Sequence, residues 1–406
     1  MKNLVYKDKI LTDRERKNLA ILETIRKEGP ITKTEISKNV GLNIVTITNY
    51  VNHYIEKKMV FEKGYDVSEG GRRPMLIELN PNSGYIIGLG LNMDGIVGVM
   101  TNLSVEIIKE VRRDKPSLEN SEECLYVMMD IVDELIKDTD VSRDKILGIG
   151  IGLPGIIDER ERTIRWPGKL GTEDIMVTVS VEDMFRKKFD IPTTVENDAT
   201  SAVFGEKWLG FQTDVKNMLY MFSGVGCGII INGQIFHGSS GCAGELGIAN
   251  LSEESMDELQ EEAYGLGRWN MDIGILDQAK RVAKDNVSWS LSEKAKKDIN
   301  SLTLNDIFQS AKNGDELSQS LVENGGINLG RKIAFLVNLL NPEIVVIGGG
   351  LEAAGSLLMD AIKTTVKKWT IDEVNRVLRI VPAQFAEKAV ALGVSCVVSQ
   401  NIFMKS

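Results

Sequence analysis

Histidine is nearly missing from this sequence: only His53 and His237 occur in 406 residues. The four cysteines, Cys124, Cys227, Cys242 and Cys396, lie far apart and form no C-x-x-C pair. That spacing argues against a disulfide framework and against a cysteine-rich zinc site, so no metal centre is expected. No apolar run reaches the roughly 18 residues of a membrane span, and the lysine-rich start, Met1 to Ile10, lacks the apolar stretch of a secretory signal. A cytoplasmic protein with no membrane partner is expected. Positive charge is also in deficit. A net charge of −10 argues against nonspecific nucleic-acid binding by the surface as a whole.

What is present is 43% hydrophobic residues over a length that can bury two or three cores, as in a multi-domain globular protein. The charge is unevenly spread. Residues 1–80 hold 15 Lys and Arg against 11 Asp and Glu, a net of +4, so the rest of the chain carries −14. Within this basic part, Leu19, Ile21, Leu22 and Ile25 form the apolar stripe of an amphipathic helix from Arg14 to Arg26, ended by Gly29-Pro30. Thr32 and Glu35 have the spacing of a capping box, which starts a second helix running to Val40. Gly41 supplies a tight turn, and Asn43 is a good N-cap for a third helix to about Lys58.

The third helix is expected to turn Ile44, Ile47, Val51, Tyr54 and Ile55 inward. Val45, Thr46, Thr48, Asn49 and Asn52 are left outward, a face of small and amide side chains suited to base edges and phosphates. Spacing alone equally fits a three-helix unit that makes protein contacts. The next segment favours DNA: Met59 to Lys63 and Met75 to Leu79 read as strands around a turn carrying Gly70-Gly71-Arg72-Arg73-Pro74, whose arginines suit a narrow minor groove. Helix, turn, helix and arginine-bearing hairpin resemble a winged helix-turn-helix domain over 1–80. Its expected contacts to double-stranded operator DNA are Asn43, Thr46, Thr48, Asn49, Arg72 and Arg73, presented by a homodimer.

After the turn-rich joint Pro81-Asn82-Ser83-Gly84, strands alternate with helices, so 81–406 is expected to form a second, α/β domain. Strands are expected at Tyr85–Leu91, Gly95–Thr101, Val105–Val111 and Ile146–Ile151, with a helix at Glu122–Lys137. A second round starts near Met218 and includes Ile344–Ile347. Two such rounds make two lobes with a cleft between them, a usual place for a small ligand.

Four segments, in order, resemble the ROK family of sugar kinases and sugar-responsive repressors. They are Gly152 to Gly155, Glu196-Asn197-Asp198-Ala199, the glycine loop Ser223 to Gly228 leading to Gly244-Glu245-Leu246-Gly247, and Asn341-Pro342 with Gly348 to Gly350. The resemblance implies an actin-like, ribonuclease H-like sugar-kinase fold and, with the winged helix, the repressor branch of the family. It further implies that Asn197 binds a sugar and that Asp198 stands where the kinases hold their general base. Read from the residues alone, Asp198 is equally an N-cap for a helix from Ala199 to Lys207.

The pattern also breaks. The family's Asp-x-Gly-Gly-Thr phosphate loop aligns with Gly90-Leu91-Asn92-Met93-Asp94, so the metal-binding carboxylate and both glycines are replaced. After Gly247 the family's zinc and sugar histidine is Ile248, and no cysteine-rich loop follows. Glu262, before Ala263-Tyr264, either matches a further sugar-contacting glutamate or lies on an exposed acidic helix from Met256 to Tyr264. The expectation is a non-enzymatic regulator without cofactor or metal, whose operator binding responds to a sugar or sugar derivative held by Asn197, Asp198, Glu245 and Glu262. The alternatives are an active sugar kinase fused to a DNA-binding domain, and a regulator with a vestigial cleft.

Overall fold

The computed structural model describes residues 5–6, 9–65, 74–92, 95–114, 121–158, 161, 163–166, 177–211, 215–223, 226–246, 274–285 and 289–406. Helix α1 (Asp13–Glu28) starts at a Thr12–Glu15 capping box and buries Leu19, Ile21, Leu22 and Ile25. Strand β1 (Ile31–Thr32) leads into α2 (Lys33–Val40), where Thr32 and Glu35 form the second capping box and Gly41 closes the helix in the left-handed conformation at φ 71°. Asn43 accepts a hydrogen bond from the Thr46 amide and caps α3 (Ile44–Glu56). Strands β2 (Val60–Tyr65) and β3 (Met75–Leu79) pair antiparallel, and β1 joins β3 on its other edge. This is a winged helix-turn-helix. The wing tip with Arg72 and Arg73 lies outside the described residues.

The remainder is two five-stranded sheets of the same connectivity. In the first, β4 (Tyr85–Leu91), β5 (Gly95–Asn102) and β6 (Ile107–Asp114) form an antiparallel meander. Helix α4 (Ser121–Lys137) crosses to β7 (Ile146–Leu153), parallel to β4. A small antiparallel sheet of β8 (Ile156–Asp158), β9 (Thr163–Trp166) and β10 (Val177–Val179) follows. Helix α5 (Val181–Phe189) then leads to β11 (Thr193–Asn197), parallel to β7.

Helix α6 (Asp198–Gly205) runs on into a π-helical segment, Glu206–Gly210. The second sheet repeats the plan with β12 (Met218–Phe222), β13 (Gly226–Ile231), β14 (Gln234–Ile235), β15 (Ile344–Gly348) and β16 (Arg379–Pro382). Its helices include α7 (Ile275–Asp285), α8 (Ser292–Lys297), α9 (Leu304–Lys312), α10 (Glu316–Leu340), α11 (Ser356–Trp369) and the single-turn α12 (Asp372–Asn375). The apolar runs of β4, β7, β12 and β15 fit strands covered on both faces, which explains why they lack alternation.

The last helix, α13 (Ala389–Lys405), is apolar nearly all round and correspondingly buried along most of its length. It lies on a bed of glycines: a Cβ on Gly88 would fall 2.1 Å from Ser395 Oγ, one on Gly150 2.8 Å from Val394, and one on Gly152 2.3 Å from Val390. At its end, Val398, Phe403 and Met404 enter the same apolar cluster as Leu22, Ile47 and Tyr54 of the winged helix. The core of the DNA-binding unit is therefore continuous with that of the first lobe.

Candidate functional site

Strand β11 delivers its last residues to the cleft side of the first lobe, and α6 begins at once. Asn197, not Asp198, is the N-cap: its carboxamide oxygen accepts from the Thr200 amide at 3.1 Å while its Nδ2 donates to the Gly155 carbonyl at 3.3 Å. The expected capping role of Asp198 is thus shifted by one residue. Asp198 is the first helical residue, 8% exposed, with Oδ1 accepting from the Ala199 amide at 2.7 Å. A carboxylate there is favoured by the free amides and dipole of the helix start.

Glu245 is brought to the same place by close backbone packing. Gly226 pairs with Glu245 in an isolated bridge, the Cys227 amide donates to Gly244 at 2.9 Å, and a Cβ on Gly228 would lie 2.1 Å from the Ala199 carbonyl. The second lobe's glycine strand therefore sits directly on the head of α6. Burial, aided by the neighbouring Asp198 carboxylate, pushes Glu245 up to about 8. With its proton held more tightly than in an ordinary carboxyl, Glu245 can donate a hydrogen bond next to Asp198.

Two further residues join this cluster that sequence reasoning did not select. Glu196, 2% exposed, accepts from the Asn197 amide at 2.9 Å and meets His237 Nε2 at 3.4 Å. The partners stand 41 residues apart, and only the adjacency of Glu196 to Asn197 could have pointed to it. Glu262 and Ile248 lie outside the described residues.

At the same end of the first sheet, with β7 between them, the position aligned with the family's phosphate-loop aspartate is closed. Gly90 lies under α13, and a Cβ there would fall 2.8 Å from both the Ala391 amide nitrogen and Val390 Cβ. Two residues on, the Asn92 carboxamide donates to the Glu387 carbonyl at 2.8 Å, tying the strand end to the start of α13. Met93 and Asp94 lie outside the described residues.

On the DNA-binding unit, Ile47, Val51 and Tyr54 are fully buried as expected, with Ile55 half-buried. Ile44 departs from expectation. It is 45% exposed, because the first turn of α3 projects beyond the cluster that covers its later turns. Asn43 and Asn49 are exposed, and Thr46 and Thr48 half-buried, with the Thr48 hydroxyl donating back to the Ile44 carbonyl at 2.8 Å.

The head of α6 and the winged helix are joined through the body of the protein. Beyond Gly205, Trp208 Nε1 donates to Glu23 of α1 at 2.5 Å, and the Arg26 guanidinium stacks over the indole at 3.8 Å while pairing with Glu23 at 3.2 Å. Helix α13 makes a second joint: Asn18 Nδ2 donates to the Met404 carbonyl, and Lys57 and Arg14 donate to the Ser406 oxygen at 2.9 and 3.3 Å. The two helices touch at their backbones, since a Cβ on Gly393 would fall 1.8 Å from the Ser201 carbonyl.

A winged helix-turn-helix fused to a duplicated α/β unit with a polar cluster at the head of α6 defines a DNA-binding transcriptional regulator. The comparisons agree. The description "ROK family" matches residues 86–264 and 283–401, and "winged helix-turn-helix DNA-binding" matches 14–60. The chain is 30% identical over 388 residues to the xylose repressor of Caldicellulosiruptor bescii, covering 92% of this chain and 93% of that one. It is 24% identical over 388 residues to the Escherichia coli regulator NagC, covering 94% and 91% of the two chains. Among solved structures, a ROK family transcriptional regulator homologous to E. coli MLC aligns with TM-score 0.72 and 21% identity over 96% of both chains. A ROK family glucokinase from Streptomyces griseus aligns with TM-score 0.62 and 22% identity over 77% of this chain and 99% of that one. This chain belongs to the ROK family and is one of its DNA-binding transcriptional regulators.

Proposed function

We propose that the protein represses carbohydrate-related genes by binding operator DNA as a homodimer, and that a sugar held by Asn197, Asp198 and Glu245 changes its operator affinity. The observation that carries this reading is the shared helix. The polar cluster sits at the head of α6, and the same run of chain reaches α1 through Trp208, Glu23 and Arg26. A ligand that fastens the second lobe onto the head of α6 biases one arrangement of that helix. The backbone contact between Gly393 and Ser201 passes the bias to α13, whose end grips α3.

Xylose is the first ligand to test, since it is the sugar named for relatives that match over nearly the full chain. Phosphoryl transfer is not part of this reading: Gly90 offers no carboxylate for a metal, and the helix above it leaves no room for one. Asp198 keeps the kinase alternative testable. A coupled ADP-release assay across a sugar panel is expected to show no turnover; turnover abolished by Asp198→Ala would reverse the assignment. For the dimer, Phe335 and Leu339 on α10, Trp369 at the end of α11 and Ile371 beyond it are exposed apolar side chains at the shared end of two helices packed through Gly326 and Gly330. A second copy of this chain is its occupant in our reading. Light scattering of Phe335→Glu is expected to show a lighter species than the parent protein.

A further inference from the structure

The first turn of α3 presents two branched aliphatic side chains to solvent, Ile44 at 45% and Val45 at 66% exposure. Folding gives no reason for them. The helix is already anchored by Ile47, Val51 and Tyr54 at 0% exposure, it is capped by Asn43, and β-branched residues are poorer helix formers than the charged residues usual on such a face. Their neighbours on the same surface are Asn43 and Asn49, both exposed, and Thr46. No acidic residue lies in that first turn. This is the end of the second helix of a helix-turn-helix, the part that enters the major groove. Within that groove the one apolar group on a base edge is the 5-methyl of thymine.

We propose that Val45, with Ile44 beside it, reads thymine methyl groups, while the amides of the same turn supply the polar contacts. The proposal rests on the operator-binding reading and gives it a base preference. Burying one methyl against Val45 corresponds to about a fourfold gain in affinity, from ~0.8 kcal/mol per buried carbon.

The test uses the full-length protein and a duplex selected by it from a random library. Each thymidine of the enriched half-site is replaced in turn by 2′-deoxyuridine, which removes the methyl and leaves base pairing intact. The expected result is about a fourfold loss at one or two positions. Val45→Ala is expected to weaken binding to the parent duplex to a similar degree and to be indifferent to deoxyuridine at those positions, whereas Asn49→Ala keeps the sensitivity. Thermal melting confirms that Val45→Ala folds, as an exposed position allows. If the enriched duplex binds but no deoxyuridine matters, or if Val45→Ala retains the full sensitivity, the proposal is overturned while operator binding stands. If no sequence is enriched, both fall.

Discussion

Two strands of the first sheet, β11 and β4, end on the same side with β7 between them, and the protein treats those two strand ends differently. At the end of β11, Asn197 and Asp198 keep their polar groups and gain Glu245 from the opposite lobe, a carboxyl that burial pushes up to about 8. At the end of β4, Gly90 and Asn92 have been given over to packing: one lies beneath α13, and the other hydrogen bonds to the Glu387 carbonyl at its entrance. In the reading proposed above, the β11 end is the sugar end, where these groups recognise hydroxyls. The phosphate end has become part of the brace that carries the winged helix. The β4 end packs against α13 and through it reaches α3.

The largest effect is expected from forcing the phosphate end back toward the kinase pattern. Gly90→Asp drives a side chain into the Ala391 backbone and buries a carboxylate without a partner, so it is expected to destabilise the protein by about 3 kcal/mol or more in urea unfolding. It is not expected to restore ATP turnover. Wild-type stability together with sugar-dependent ADP release would erase the contrast between the two ends. At the sugar end, Asn197→Ala removes the helix cap and the link to Gly155, and is expected to cost about 1 kcal/mol in the same measurement while abolishing sugar binding by calorimetry. Asn92→Gly opens the phosphate end more gently. It loses a single hydrogen bond, so a change of about 1 kcal/mol or less is expected, with nucleotide affinity still undetectable in calorimetry.

A further effect depends on pH and centres on Glu245. Glu245 is held at about 8 against the ordinary glutamate value of 4.5 in the unfolded chain, so the folded state binds the extra proton between those values. Stability from this group is therefore fully present below about pH 4.5 and falls as pH rises toward 8. Glu206, buried and raised to about 7 by desolvation and the nearby Glu352, acts in the same direction. Glu245→Gln is expected to flatten part of the decline in melting temperature between about pH 4.5 and 8. An unchanged profile would show that Glu245 is not shielded as the geometry requires.

Much of this was legible before any coordinates. Capping boxes, Gly41 and the apolar spacing place the three helices of the DNA-binding unit, and β4 is bounded by the residues its pattern indicates. What escaped depends on contacts between distant segments. Ile44 fits the inward spacing, yet the first turn outruns the core, a matter of where α1 and α2 stop. Asn197 and Asp198 are both good caps, and only the direction in which β11 enters the helix decides between them. His237 with Glu196, and Trp208 with Glu23, join positions 41 and 185 residues apart. Gly88, Gly148, Gly150 and Gly152 form the surface on which a buried helix rests, a contact between distant segments that strand spacing does not show.

The central claim is that the retained polar end senses a sugar and speaks to the winged helix. Its most direct measurement is operator affinity by fluorescence anisotropy, with and without saturating D-xylose, for the parent protein and Asn197→Ala. The account predicts a change of at least about fivefold in the parent Kd and none in the variant. If xylose is seen by calorimetry to saturate the parent protein and the operator Kd does not move, the claim is contradicted.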